Sequence, residues 1–242
     1  MRDRCHPDQD RGCLTDINRN NEISNKAIIK ILENAASMHS ELVGYGVNDI
    51  PRTGISWIVL GWKIKVNRRV RFNQEIIAKT WGRSYNRATM LRDYKIVDEN
   101  NNIIAIATSK WAIISAKDGK LMELTDEIVK GYECQEEKVF EDEYKFKLIE
   151  PKGKLIENKI EIQRRDIDIN KHVHNLYYLD YAYESLPEEI YDKEECNNIE
   201  IMYKRQIKYD DKIKCIYSNE TENTIMIKSD DDKILHSIIK LY

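Results

Sequence analysis

DIDINKHVHN, residues Asp166–Asn175, restates DINRNNEISN, residues Asp16–Asn25, position by position at a constant offset of 150. The opening Asp-Ile and the closing Asn are shared, and Val173 stands where the first copy has Ile23. A repeat on that scale reads as two copies of one supersecondary unit fused in a single chain. The segments after the two copies are also alike: a helical pattern, then β-rich runs.

After the first copy, Asn25–Val43 places Ile28, Ile31, Leu32, Ala35, Met38 and Leu42 at steps of three and four, the stripe of a helix with one buried face. Gly44 and Gly46 supply its stop. After the second copy, a Tyr- and Leu-rich segment predicts a helix from Asn175 to Ser185. Runs rich in β-branched and aromatic residues come next. They are Ile55–Val66, Glu75–Arg83, Ala88–Asp98 and Ile103–Ala116 in the first half. In the second half they are Asn198–Lys208, Lys212–Asn219, Asn223–Lys228 and Lys233–Leu241, with a further strand at Lys159–Arg165 ahead of the repeat. Trp57, Trp62, Trp81 and Trp111 fall in the first set, where large aromatics pack.

One helix followed by successive antiparallel strands makes an α+β unit whose sheet wraps the helix. The expected fold class is therefore α+β, with two tandem units of this kind. The first spans 1–120 and the second 159–242. Between them a charged connector, 121–158, crosses the surface with a short helix at Thr125–Glu133.

At 242 residues, 41% hydrophobic and 33% charged, the composition is that of a soluble globular protein. The net charge of −3, with basic residues spread out, gives no footprint for nucleic acid. No run approaches the ~18 apolar residues of a membrane span, and MRDRCHPDQDRGC is too polar for a signal peptide, so the cytoplasm is expected. Five cysteines, Cys5, Cys13, Cys134, Cys196 and Cys215, lack CxxC spacing and read as reduced thiols. Met1–Gly12 takes no role in this reading.

The two copies differ where chemistry needs it. Asp168 and His172 replace Asn18 and Glu22, so the second half is the candidate catalytic end and the first is left to hold substrate. Asp168-x-Asn170-x-His172 gathers an acceptor, an amide and a base at a helix entrance, whose unpaired N–H groups suit a developing oxyanion. Asp and Asn also serve turns and caps for local reasons, so a polar capping loop fits the same residues. A calcium loop opening at Asp166 would need Gly at its sixth position and Glu at its twelfth, where Lys171 and Tyr177 stand. Zinc is excluded too, because His172 and His174 have no nearby Cys or helical His to complete a ligand set.

With Gly44-Tyr45-Gly46, Gly54-Ile55-Ser56-Trp57, Thr80-Trp81, Ala107-Thr108-Ser109-Lys110-Trp111 and above all Asp168–Asn175, the chain resembles the acyl-ACP thioesterases of two fused hotdog domains. The resemblance runs from Asp16 to the C-terminus. It implies hydrolysis of the thioester between a fatty acyl chain and the phosphopantetheine arm of acyl carrier protein, in fatty acid biosynthesis. It implies no metal and no bound cofactor.

Carried over position by position, Asp168, Asn170 and His172 match the family's catalytic Asp-x-Asn-x-His. The family's catalytic Glu, in a Tyr-basic-basic-Glu pattern, is Gln206 here, after Tyr203-Lys204-Arg205, and the Cys that often comes next is Ile207. A glutamine can orient water or an amide but cannot take a proton as a carboxylate does. More of the base role then falls on His172, since histidine's ordinary pKa of about 6.5 suits neutral pH.

The family also implies an acyl tunnel lined by the first half, for which Ile31, Ala35, Met38 and Trp57 are candidates, with ordinary core packing an equal reading of each. Lys63, Lys65, Arg68, Arg69 and Arg71 would meet an acidic carrier protein or form a solvated strand edge. Oligomeric state stays open between monomer and homodimer. Two alternatives remain: an acyl-CoA thioesterase, and a non-catalytic acyl-binding hotdog marked by Gln206. An enoyl-thioester hydratase is disfavoured, because its Asp-x-Asn-Pro-x-His has a longer spacing and a Pro that this chain lacks.

Overall fold

A computed structural model describes residues 8–11, 14–142, 144–153, 156–191 and 196–242. Cys5, Cys13 and most of the segment before Leu14 lie outside the described residues. The chain divides into two compact units, Met1–Tyr144 and Lys145–Tyr242.

Unit 1 contains β1 (Asp8–Arg11), α1 (Asn25–Leu42), α2 (Ile50–Thr53), β2 (Ile55–Val66), β3 (Glu75–Tyr85), β4 (Met90–Asp98), β5 (Ile103–Ser115) and α3 (Asp126–Lys130). Its strands run in the order β1-β3-β4-β5-β2 with antiparallel neighbours. Unit 2 contains β6 (Ile156–Ile160), α4 (Asn175–Tyr183), α5 (Glu188–Tyr191), β7 (Asn198–Tyr203), β8 (Ile213–Ser218), β9 (Asn223–Ser229) and β10 (Leu235–Leu241). Their order is β6-β8-β9-β10-β7, again antiparallel. Putting β6 for β1, α4 for α1 and β7 to β10 for β2 to β5 turns one order into the other. The repeat in sequence is a repeat in topology.

Helix α1 starts where Ser24 Oγ accepts from Ala27 N at 3.1 Å, a side-chain N-cap. It stops at Gly44, whose φ of +80° takes the left-handed turn that a side chain would resist. Ile28, Ile31, Leu32, Ala35 and Ala36 are buried, and the helix packs on β3. The buried stripe then continues to Ser40, which receives a hydrogen bond from Tyr132, and not to Met38 and Leu42. The sequence stripe is thus corrected over the last two turns: Met38 is 44% exposed.

The connector is corrected as well. Leu124, Ile128, Val129 and Tyr132 are core residues of unit 1, packed with Ile55, Met90 and Ile113. Thr125 caps α3 through a bond from Ile128 N. Only the charged run beyond Glu133 crosses a surface, and it is pinned there. Trp81 Nε1 donates to Glu137 O at 3.0 Å, and Val139 N donates to the buried Asp93 Oδ2 at 3.1 Å.

The opposite face of β4 carries a buried cation. Arg92 donates to His39 Nδ1 on α1 at 2.9 Å and to Thr80 Oγ1 at 3.2 Å, and lies over the Tyr132 ring. An arginine can only donate, so His39 accepts and is neutral. Burial and then the Arg92 charge lower its pKa to about 4. Because the unfolded chain binds a proton near pH 6.5 and the folded chain only near pH 4, this contribution to stability is present above about 6.5 and is lost as pH falls toward 4. We expect the melting temperature to fall across that window, and to fall less in His39→Asn, whose amide oxygen accepts without titrating. Parallel curves for the two proteins would refute the assignment.

Candidate active site

Two aspartates build the loop that carries His172. Asp166 is buried, and its Oδ2 accepts from Gln163 N at 2.8 Å and from Tyr181 OH at 2.6 Å, while its carbonyl accepts from His174 N. Those bonds tie the loop's start to α4. Asp168 Oδ1 accepts from Asn170 N at 2.8 Å and His172 N at 3.2 Å, and Asp168 N donates to His172 O. Lys171, at φ +64°, makes the reversal. His174 then caps α4, its Nδ1 accepting from Leu176 N at 3.3 Å.

The first copy forms the same loop without the chemistry. Asn18 Oδ1 accepts from Asn20 N at 2.9 Å and Glu22 N at 3.1 Å, Asn21 takes φ +58°, and Ser24 N donates to Asp16 O. The backbone geometry alone therefore does not require a carboxylate at 168.

A second segment lies against this loop. Val173 N donates to Ile207 O at 2.8 Å, and His172 bridges Lys208. Sequence patterning extends β7 through Lys208, but β7 ends at Tyr203 because Lys204 N and Arg205 N both turn to His236 O. Around Gln206 the chain is held on both sides. Tyr178 OH on α4 donates to Arg205 O at 3.4 Å and accepts from Ile207 N at 3.1 Å, and His236 Nδ1 on β10 lies 3.2 Å from Arg205 O. Burial pushes the Tyr178 phenol well above its usual pKa, so it stays protonated.

The structure separates the site residues predicted from sequence. His172 is half-buried, and its Nδ1 is enclosed with no hydrogen-bond partner. Asp168 orients the loop through main-chain amides and makes no hydrogen bond to the His172 ring. Asn170 and Gln206 are exposed, their carboxamides without partners among the described residues. In unit 1, Ile31 and Ala35 share the buried face of α1, and Trp57 is half-buried with its ring 5.6 Å from Tyr132. Met38 does not share that face. Among the described residues no group of three or more His, Cys, Asp or Glu side chains is placed to hold a metal ion.

The basic run of unit 1 is largely engaged. Lys63 lies over the Phe140 and Tyr144 rings, Arg68 pairs with Asp98, and Arg69 donates to Ile23 O and Asn25 Oδ1. Tyr178 and His236 escaped sequence reasoning. A Tyr inside an apolar helix pattern and a His inside a strand read as core, and only the neighbourhood of Gln206 sets them apart.

Residues 13–132 match the acyl-ACP thioesterase N-terminal domain, and residues 149–240 match the C-terminal domain of the same family. The chain belongs to the acyl-ACP thioesterase family. An oleoyl-acyl carrier protein thioesterase 2, chloroplastic, of Arabidopsis thaliana is 26% identical over 219 residues, covering 84% of this chain but 60% of that protein. Among solved structures, an acyl-ACP thioesterase from Bacteroides thetaiotaomicron aligns with a TM-score of 0.84 at 19% identity, over 98% of this chain and 96% of that one. The 12:0-ACP thioesterase from Umbellularia californica gives 0.81 at 16%, with the same coverage. The two units of this acyl-ACP thioesterase family member thus have the hotdog architecture of those structures. Among its described residues no helix is long and apolar enough to cross a membrane.

Proposed function

We propose that this chain hydrolyses the thioester of an acyl chain carried on acyl carrier protein, releasing free fatty acid, with unit 2 performing the cleavage and unit 1 holding the acyl chain. The observation that carries the reading is the pairing of two segments in unit 2. One presents the unpartnered His172 ring and the Asn170 amide, and the other presents Gln206.

In this mechanism His172 takes a proton from water as the water oxygen bonds to the thioester carbon. The C–S bond then breaks, and the proton passes to the departing thiolate, giving acid and thiol. A thiolate leaves readily, so one base suffices, and a Gln at 206 orients water or carbonyl without titrating. The His174 cap occupies the Leu176 amide, so the oxyanion falls to the Asn175 N–H of the first turn together with the Asn170 side chain. Asp168 holds the loop that aims both groups. Ile31, Ala35 and Trp57 are the residues we place along the acyl chain, and the exposure of Met38 sets it at the margin. The compartment is the one in which carrier-linked chains are made, which we take to be the cytoplasm.

Thiol release from acyl-ACP substrates of graded length, with acyl-CoA counterparts, tests the proposal. Faster release from carrier-linked chains supports it, and faster release from CoA makes the enzyme an acyl-CoA thioesterase. Silence of the wild type alongside release by Gln206→Glu would make the protein an acyl binder with a disabled site.

Docking of the carrier falls to unit 2. Arg164, Arg165, Lys171, Lys204, Arg205 and Lys208 are all exposed on the two paired segments, and among the described residues only Arg165 of these has an ion-pair partner, Asp166 at 3.9 Å. The neighbouring Asp166, Asp168 and Asp211 accept from main-chain amides, and the opposing exposed charges on the second segment are Asp210 and Asp211. Ile169, 77% exposed at the loop tip, adds an apolar contact. Arg164→Glu with Lys204→Glu should raise KM for acyl-ACP about tenfold at low salt, with neutral acyl-pantetheine unaffected. Equal KM values across a salt series would remove the docking face.

A further inference from the structure

Resting on the reading of Gln206 as a residue that meets the reacting thioester, we propose that Tyr178 and His236 are positioning residues that lock the backbone on either side of it. Unit 1 supplies the counterpart against which they stand out. Val173 N to Ile207 O in unit 2 corresponds to Ile23 N to Val70 O in unit 1, and the His172–Lys208 bridge to the Glu22–Arg71 bridge. Lys208 N to Asp211 Oδ2 corresponds to Arg71 N to Gln74 Oε1. Lys204 N and Arg205 N on His236 O correspond to Asn67 N and Arg68 N on Ile104 O.

Gln206 therefore stands where unit 1 has Arg69, His236 where it has Ile104, and Tyr178 where it has Ile28. In unit 1 the residue at this position anchors its own segment, Arg69 folding back to Ile23 O and Asn25 Oδ1, both at 2.9 Å. The two positions behind it are wholly buried isoleucines. In unit 2 the Gln206 side chain makes no such bond. Its segment is held instead by a phenol and an imidazole, 2% and 3% exposed, which reach Arg205 O and Ile207 N.

A hydroxyl and a ring N–H in place of two isoleucines cost desolvation that only those bonds recover. Unit 1 shows that the fold does not need them. Their effect is to move the anchor from the side chain at 206 to the main chain around it, so that the carboxamide is held in place yet left unbonded. The bond to Arg205 O also fixes His236 with its proton on Nδ1.

The test compares Tyr178→Phe, His236→Leu and His236→Asn, whose amide N–H falls near the Nδ1 position, with Gln206→Ala and with the Tyr178→Phe/Gln206→Ala pair. Tyr178→Phe and His236→Leu should each lower kcat about tenfold, with KM for acyl-ACP within about twofold. His236→Asn should recover most of that loss. Tyr178→Phe should add nothing in the Gln206→Ala background, and should speed hydrogen exchange at the Ile207 amide in the folded protein. Unchanged kcat in Tyr178→Phe and His236→Leu beside a damaged Gln206→Ala would overturn the inference alone. So would an equal loss from Tyr178→Phe in both backgrounds. Full turnover by Gln206→Ala would overturn the reading of Gln206 and with it any catalytic role for the two anchors, and an Ile207 amide whose exchange is no faster in Tyr178→Phe would overturn the lock itself.

Discussion

His172→Ala should lower kcat at least about a hundredfold and leave the melting temperature within a few degrees of wild type. General-base catalysis by a positioned side chain contributes ~10²–10⁴-fold, and the one carboxylate among the proposed residues, Asp168, is turned to the loop amides. Stability should change little because the ring makes no hydrogen bond through Nδ1 that truncation would strand. The loop around it is held by main-chain groups: the Asp168 carboxylate on the amides at 170 and 172, and the bridge to Lys208. Steady-state kinetics beside a thermal melt checks this, and a folded variant with near-normal turnover would end the assignment.

The second large effect separates what Asp168 holds from what its charge does. Asp168→Ala strips the acceptor from two loop amides and should cost about 1–3 kcal/mol, together with most of the activity. Asp168→Asn should keep the loop, because Asn18 closes the first copy with bonds of 2.9 and 3.1 Å against 2.8 and 3.2 Å here. Any loss of kcat in Asp168→Asn then measures the carboxylate's electrostatic share. If Asn destabilises the protein as much as Ala does, the equivalence of the two loops is wrong.

Much of the architecture was legible because its determinants are local. The α1 stripe, the β2 boundaries at Ile55 and Val66 and the duplicated loop all derive from period, turn chemistry and an unbroken offset. The hidden parts depend on partners far along the chain. β1 pairs with β3 along DQDR, four polar residues that carry no periodic signal. Leu124 to Tyr132 sit in a charged neighbourhood, and their burial is decided by Ile55, Met90 and Ile113. The Arg68 and Arg69 charges read as available until Asp98, Ile23 and Asn25 are seen to engage them. The Asp168–His172 stretch announces itself by composition. The anchors around Gln206 do not, since the copies share that region at a different offset and with little identity.

The contiguity of unit 1 bears on how the protein is made. All five of its strands, its central helix and the run that covers the outer face of β3 and β4 lie within Met1–Tyr144. Domains tend to fold as units, N-terminal first, during synthesis. Every residue of unit 1 is therefore translated before Lys145, and the half proposed to hold the acyl chain can close while the other half is still being made.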